Sequence, residues 1–136
     1  MTELLAEGVE LFNNGRYWDA HEAWEREWTP DRKGPDSGFY KGLIQVAAGC
    51  LHYTRHNRRG AVNKWRSGAD YLKPYLPRHH GLILEPLVRS VEDYLEAMSG
   101  RAWPELKMPA IRQGGSPTAR ALPAPGDRGD DPPNQE

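Results

Sequence analysis

The sequence predicts an all-α fold, a compact bundle of about five helices, on three observations. Apolar side chains recur at three- and four-residue spacing along five segments. Gly, Pro and Asn punctuate the chain between them. The first two segments resemble the next two when the chain is shifted by 41 residues.

Leu4, Leu5, Val9, Leu11 and Phe12 have helical spacing after a Thr2 cap, and Asn13, Asn14 and Gly15 supply stop chemistry. Tyr17, Ala20, Trp24 and Trp28 share one face of a second helix, which Thr29 and Pro30 end before a polar loop through Asp36. A third helix is expected from Ser37 through His56, with Asn57 as its stop. A fourth carries Ala61, Val62, Trp65, Ala69 and Leu72 up to Pro74. Pro86 opens a fifth, with Leu84, Leu87, Val88, Val91, Tyr94, Leu95 and Met98 in register and Gly100 as its cap. Trp103 to Ile111 is expected to pack across the bundle, and Arg78, His79 and His80 read as an exposed loop.

The 41-residue shift pairs Gly8 with Gly49, Phe12 with Tyr53, Ala20 with Ala61 and Trp24 with Trp65. Small residues at matched positions predict close helix crossings. Gly8, Gly15, Tyr17, Ala20, Trp24 and Pro30 also follow the tetratricopeptide pattern of a helical hairpin. Two units are too few for an open solenoid, so the fifth helix is expected to close the exposed face.

At 136 residues the chain fits one domain. We place it at 1–111, followed by a Pro/Gly-rich tail at 112–136 in which nine of 25 residues are Gly or Pro. Leu122 is that stretch's one large aliphatic side chain, too little to offset ordering entropy, so the tail is expected to be disordered. Lys and Arg number 18 against 19 acids, which leaves no global field to attract nucleic acid or an anionic membrane. The single Cys50 excludes an internal disulfide framework and a multi-cysteine zinc site, and it falls on the apolar side of its helix. No apolar run reaches the roughly 18 residues of a membrane span, and Met1 to Glu10 lacks a signal peptide's basic region. A cytoplasmic protein with no membrane partner is expected.

Chemistry concentrates on the second and third helices. His21 and Glu25 stand four positions apart, beside the stripe of Tyr17, Ala20, Trp24 and Trp28, with Glu22 further out. On the mostly apolar third helix, Lys41, Gln45, His52 and His56 fall within about 60° of one another in projection. Gly49 removes a side chain beside that stripe. Folding the second helix on the third would gather His21, Glu25, Gln45, His52 and His56 into one polar site. A buried hydrogen-bond network and a solvated stripe are the plain alternatives. His and Glu also suit a divalent metal, although the zinc-protease motif needs His where Glu25 stands. Arg55, Arg58, Arg59, Lys64 and Arg66 form a basic cluster around the start of the fourth helix, suited to phosphate or RNA, or to pairing with the acids of the first two helices.

Phe12, Asn13, Gly15, Tyr17, Ala20, His21, Glu22, Trp24, Glu25 and Trp28, then Lys41 to Ala48 reading KGLIQVAA, then His52, Asn57, Gly60 and Ala61, together resemble domain of unknown function 309. The resemblance spans roughly Leu4 to Leu95. It implies a compact helical fold with tetratricopeptide-like hairpins, and no activity.

The function expected is therefore a binding module without a required cofactor. Its groove between the second and third helices would take a small ligand or a partner segment. Trp18, Trp24 and Trp28 would form the apolar wall, and His21, Glu25, Lys41, Gln45, His52 and His56 would make the polar contacts. One alternative is a metal-dependent hydrolase with His21, Glu25 and His52 as ligands and Glu22 as general base. A second is an RNA or phosphate binder using Arg55, Arg58 and Arg59.

Overall fold

A computed structural model describes residues 2–29 and 33–114. Five α-helices follow in chain order: α1 (Glu3–Asn13), α2 (Tyr17–Trp28), α3 (Ser37–Thr54), α4 (Arg58–Leu72) and α5 (Glu85–Ala97). Local chemistry sets their ends. Thr2 Oγ1 accepts a hydrogen bond from Leu5 N at 3.1 Å, and Asn57 Oδ1 accepts one from Gly60 N at 3.0 Å, so two helix starts are capped by side chains. Pro86 occupies the first turn of α5, where no amide donor is needed. α3 stops at Thr54 rather than His56, because His56 takes a left-handed φ of 55°.

The two hairpins repeat one another down to the backbone. Gly15 N donates to Phe12 O and His56 N to Tyr53 O, both at 3.0 Å; Arg16 N donates to Leu11 O and Asn57 N to His52 O, both at 2.9 Å. Each pair is separated by the 41 residues that relate the sequences. The matched glycines do what their spacing predicts. A Cβ on Gly8 would stand 2.1 Å from Trp24 Nε1, and one on Gly49 would stand 2.3 Å from Trp65 Cδ1, so each glycine lets an indole lie flat on the opposing helix. Phe12 tilts against Trp24 and Tyr53 against Trp65, each at 6.0 Å between ring centroids.

α3 is the central element, packed against α2 on one side and α4 on the other, and nine of its residues are buried. α5 packs against α4 through Leu87, Val88, Val91 and Tyr94. Beyond α5 the chain crosses the bundle as an extended strap. Tyr53 Oη donates to Pro104 O and accepts from Leu106 N, both at 2.8 Å. Asn13 pairs its side-chain amide with the backbone of Ile111, at 3.0 and 2.7 Å. The strap expected over Trp103 to Ile111 is present, and both hairpin turns hold it.

No sequence pattern signals the small antiparallel sheet of β1 (Arg78–His79), β2 (Leu82–Ile83) and β3 (Arg112–Gln113). Arg78 and His79 are strand residues rather than loop, and Arg112 and Gln113, assigned to the tail by composition, pair with Ile83 and Leu82. Strands two residues long carry no readable alternation. The disordered-tail expectation from residue 115 onward lies outside the described residues. Among those described, no helix is long and apolar enough to cross a membrane.

Candidate functional site

The hairpin of α2 and α3 is antiparallel, pinned where Trp28 Nε1 donates to Ser37 Oγ at 3.3 Å. That register sets Glu25 about level with Lys41 and His21 about level with Gln45. Positions 21, 25 and 28 lie on one face of α2, and positions 41, 45, 48 and 52 on one face of α3. Lys41 Nζ lies 5.7 Å from the Trp28 ring centroid, so the two faces adjoin. The same ammonium lies 5.1 Å from the ring of Tyr71 on α4. Trp28 and Lys41 are thus brought together, and His21, Glu25 and Gln45 lie along the same two helix faces. Beside Tyr71, α4 adds an open cleft of about 660 Å³ lined also by Asn63, Arg66, Ser67 and Asp70.

His21 is stacked on Trp18, with 5.1 Å between centroids and 9° between planes. Its Nδ1 is enclosed and has no hydrogen-bond partner among the described residues, Glu22 Oε2 standing 3.7 Å away. Trp18 is 55% exposed and offers an aromatic face beside this edge. Trp24 cannot be part of a wall: it is wholly buried, with Nε1 donating to Leu5 O at 3.2 Å. The indole lying on Gly8 is core.

His52 and His56 are placed elsewhere. The His52 ring lies against Gly60, and its Nδ1 is 3.1 Å from Asn57 Nδ2, so it faces the α3–α4 turn instead of His21. Helical projection put His52 on the polar stripe, but α3 is flanked on both sides and the last turn of the stripe leans toward α4. His56 stacks on Trp103 at 4.6 Å, under the strap. The trio His21, Glu25 and His52 is therefore not gathered as one ligand set. In the basic cluster, Arg58 is committed to the end of α5 and the strap: Nη1 donates to Met98 O, and Nη2 to Arg101 O at 3.1 Å and Ala102 O at 2.8 Å. Cys50 is buried, which pushes its thiol up to about 12, so it is no nucleophile near neutral pH.

A second constellation is one that the sequence reading missed. His79 Nε2 donates to Asp36 Oδ1 at 2.8 Å and His80 Nε2 to Asp36 Oδ2 at 2.6 Å, holding that carboxyl below the usual carboxylate range. Among the described residues, these are the three ligand-type side chains with donor atoms all within 4.8 Å of one another. The signal available was the His79-His80-Gly81 run, read as a loop. Its partner lies 43 residues earlier, beyond any local pattern.

No curated protein matches the chain. Residues 5–63 match the family model described as Domain of unknown function (DUF309), a span that runs from α1 into the first turns of α4 and includes His21, Glu25, Trp28, Lys41 and Gln45. Over that segment the chain is similar to the DUF309 family, whose description assigns no reaction.

Proposed function

We propose that the protein is a cytoplasmic, non-catalytic binding module of two tetratricopeptide-like hairpins, whose furrow along α3 takes a carboxylate-bearing small ligand or partner segment. One observation carries this reading. Lys41 holds its ammonium between the Trp28 and Tyr71 rings and has no ion pair among the described residues. A cation over two aromatic faces is oriented without being neutralised, so an anion can still be met there. His21, with an enclosed Nδ1 awaiting a partner, and Gln45 supply hydrogen bonds on the same furrow. Trp18 and Trp28 supply apolar contact. The hydrolase reading loses support because His52 faces away from His21.

The test is amide and indole NMR of the isotope-labelled protein, titrated with a short peptide carrying a free C-terminal carboxylate and with the same peptide amidated. The carboxylate form should move the resonances of Trp28, Lys41 and Gln45, and Lys41→Ala should abolish the effect while the protein stays folded, losing only the small stabilisation of the two ring contacts. Equal shifts by the amidated peptide, or shifts confined to other faces, would remove the reading.

A further inference from the structure

We propose that Asp36, His79 and His80 form a binding site for one divalent cation of the zinc class, separate from the α3 furrow. Two imidazoles and a carboxylate are the donor set that borderline ions of this kind prefer. Here both Nε2 atoms and the carboxylate oxygens lie within 4.8 Å of one another, and the ion would replace the two Nε2–H···O hydrogen bonds as each neutral ring carries its proton on Nδ1 instead. Three protein donors leave at least one position open on a tetrahedral ion. The open side is provided for: Asp36 and His80 border a cavity of about 380 Å³ whose other walls include Glu27 and Tyr40. Water or an anionic ligand can reach the ion from there.

The three side chains come from two elements that are independently fixed. Asp36 precedes the first turn of α3, and the adjacent Pro35 carbonyl accepts a hydrogen bond from Tyr75 Oη at 2.8 Å. His79 lies in β1, held by its pairing with Leu82, and both imidazoles rest edge-on against Phe39, at 4.8 and 5.5 Å between centroids. His80 and Gly81 form the two-residue turn of this hairpin, with φ of 48° and 81°. Turns with two positive φ values select Asn or Gly at the first position, and another residue there costs about 1 kcal/mol. From that position the His80 imidazole reaches the Asp36 carboxylate.

The experiment uses the full-length chain without an affinity tag, stripped by chelator dialysis, then titrated with Co²⁺ by visible absorption and with Zn²⁺ by calorimetry. One ion per chain is expected, with the ligand-field bands of a four- or five-coordinate cobalt site. His80→Asn keeps the turn, because Asn tolerates its φ, and should weaken binding at least ~100-fold, as should Asp36→Asn. His21→Ala and His52→Ala should bind as the parent does. The proposal fails if the parent shows no saturable binding at one equivalent. It fails equally if Asp36→Asn and His80→Asn bind like the parent, which would put the ion elsewhere.

Discussion

The first hairpin (α1 and α2) and the second (α3 and α4) are the same packing unit in two environments. Both press an indole onto a helical glycine, both brace it with an aromatic one turn before the bend, and both close through the same turn hydrogen bonds. They differ in what surrounds the shared unit. Trp24 has a carbonyl acceptor, Leu5 O, whereas Trp65 Nε1 has only the Cys50 thiol beside it. Trp65 is also flanked by Tyr94 of α5, at 5.1 Å. At the bend, Gly15 has a φ of 79° and open space around it, and its counterpart His56 has a φ of 55° and a ring stacked on Trp103. Positions that contact within the hairpin are thus repeated, and positions that face other elements are free to diverge.

The largest expected effects are at the matched glycines. Gly8→Ala and Gly49→Ala each gain about 1 kcal/mol of helix propensity and lose more to overpacking. Gly49→Ala should cost about 3 kcal/mol net, because Tyr53 and Tyr94 keep the Trp65 indole from retreating. Gly8→Ala should cost about 2 kcal/mol, since its indole lies in the outer hairpin. Urea unfolding of both variants measures the difference. Equal costs would show that the flanking rings do not confine Trp65, and no cost at either would break the equivalence altogether. Next come Trp24→Phe and Trp65→Phe, which leave similar cavities. Only the first abandons a good hydrogen bond, so it should be the worse by about 1 kcal/mol in the same assay.

These contacts were readable because they are written locally. Gly8 and Gly49 announce themselves by spacing from an aromatic in a periodic pattern, and Asn57 and Pro86 mark helix starts by their own chemistry. The meeting of Lys41 with Trp28 was readable, because it follows from helical projection plus an antiparallel hairpin. Projection gives the angle of a side chain about its helix and nothing about which neighbour it meets, and so His52 and Trp24 were misplaced. Asp36, His79 and His80 are joined by tertiary placement across 43 residues, which no periodicity records.

At the bends the effect should be smaller and of opposite kind. Gly15→Ala forces an ordinary residue into left-handed backbone with no compensating contact and should cost about 1 kcal/mol. His56→Gly relieves a similar strain and gives up the Trp103 stack, worth about 0.5–1.5 kcal/mol, so the two should nearly cancel. A clear loss of melting temperature in His56→Gly would show that the strap depends on that stack.

The smallest effect at neutral pH belongs to Cys50, whose counterpart 41 residues earlier is Val9; both are fully buried. If the hairpins are one unit, Cys50→Val fits the site that the repeat prescribes and should cost less than about 1.5 kcal/mol at pH 7, mainly by taking the sulfur away from Trp65 Nε1. The pH dependence then turns the comparison around. Burial raises the Cys50 thiol from an unfolded value of 9.0 to about 12, so its contribution is fully present below pH 9 and is lost as pH rises toward 12, where only the unfolded chain ionises readily. At pH 10.5 that loss amounts to about 2 kcal/mol in the parent and nothing in the valine variant. Tyr17 and Tyr94, both also raised by burial, are present in both proteins and drop out of the difference. Urea unfolding at pH 7 and pH 10.5 should therefore show the parent slightly ahead at the first and the variant level or ahead at the second. A stability difference that is the same at both would mean that the thiol ionises as easily folded as unfolded, and that the core of the second hairpin is wetter than that of the first.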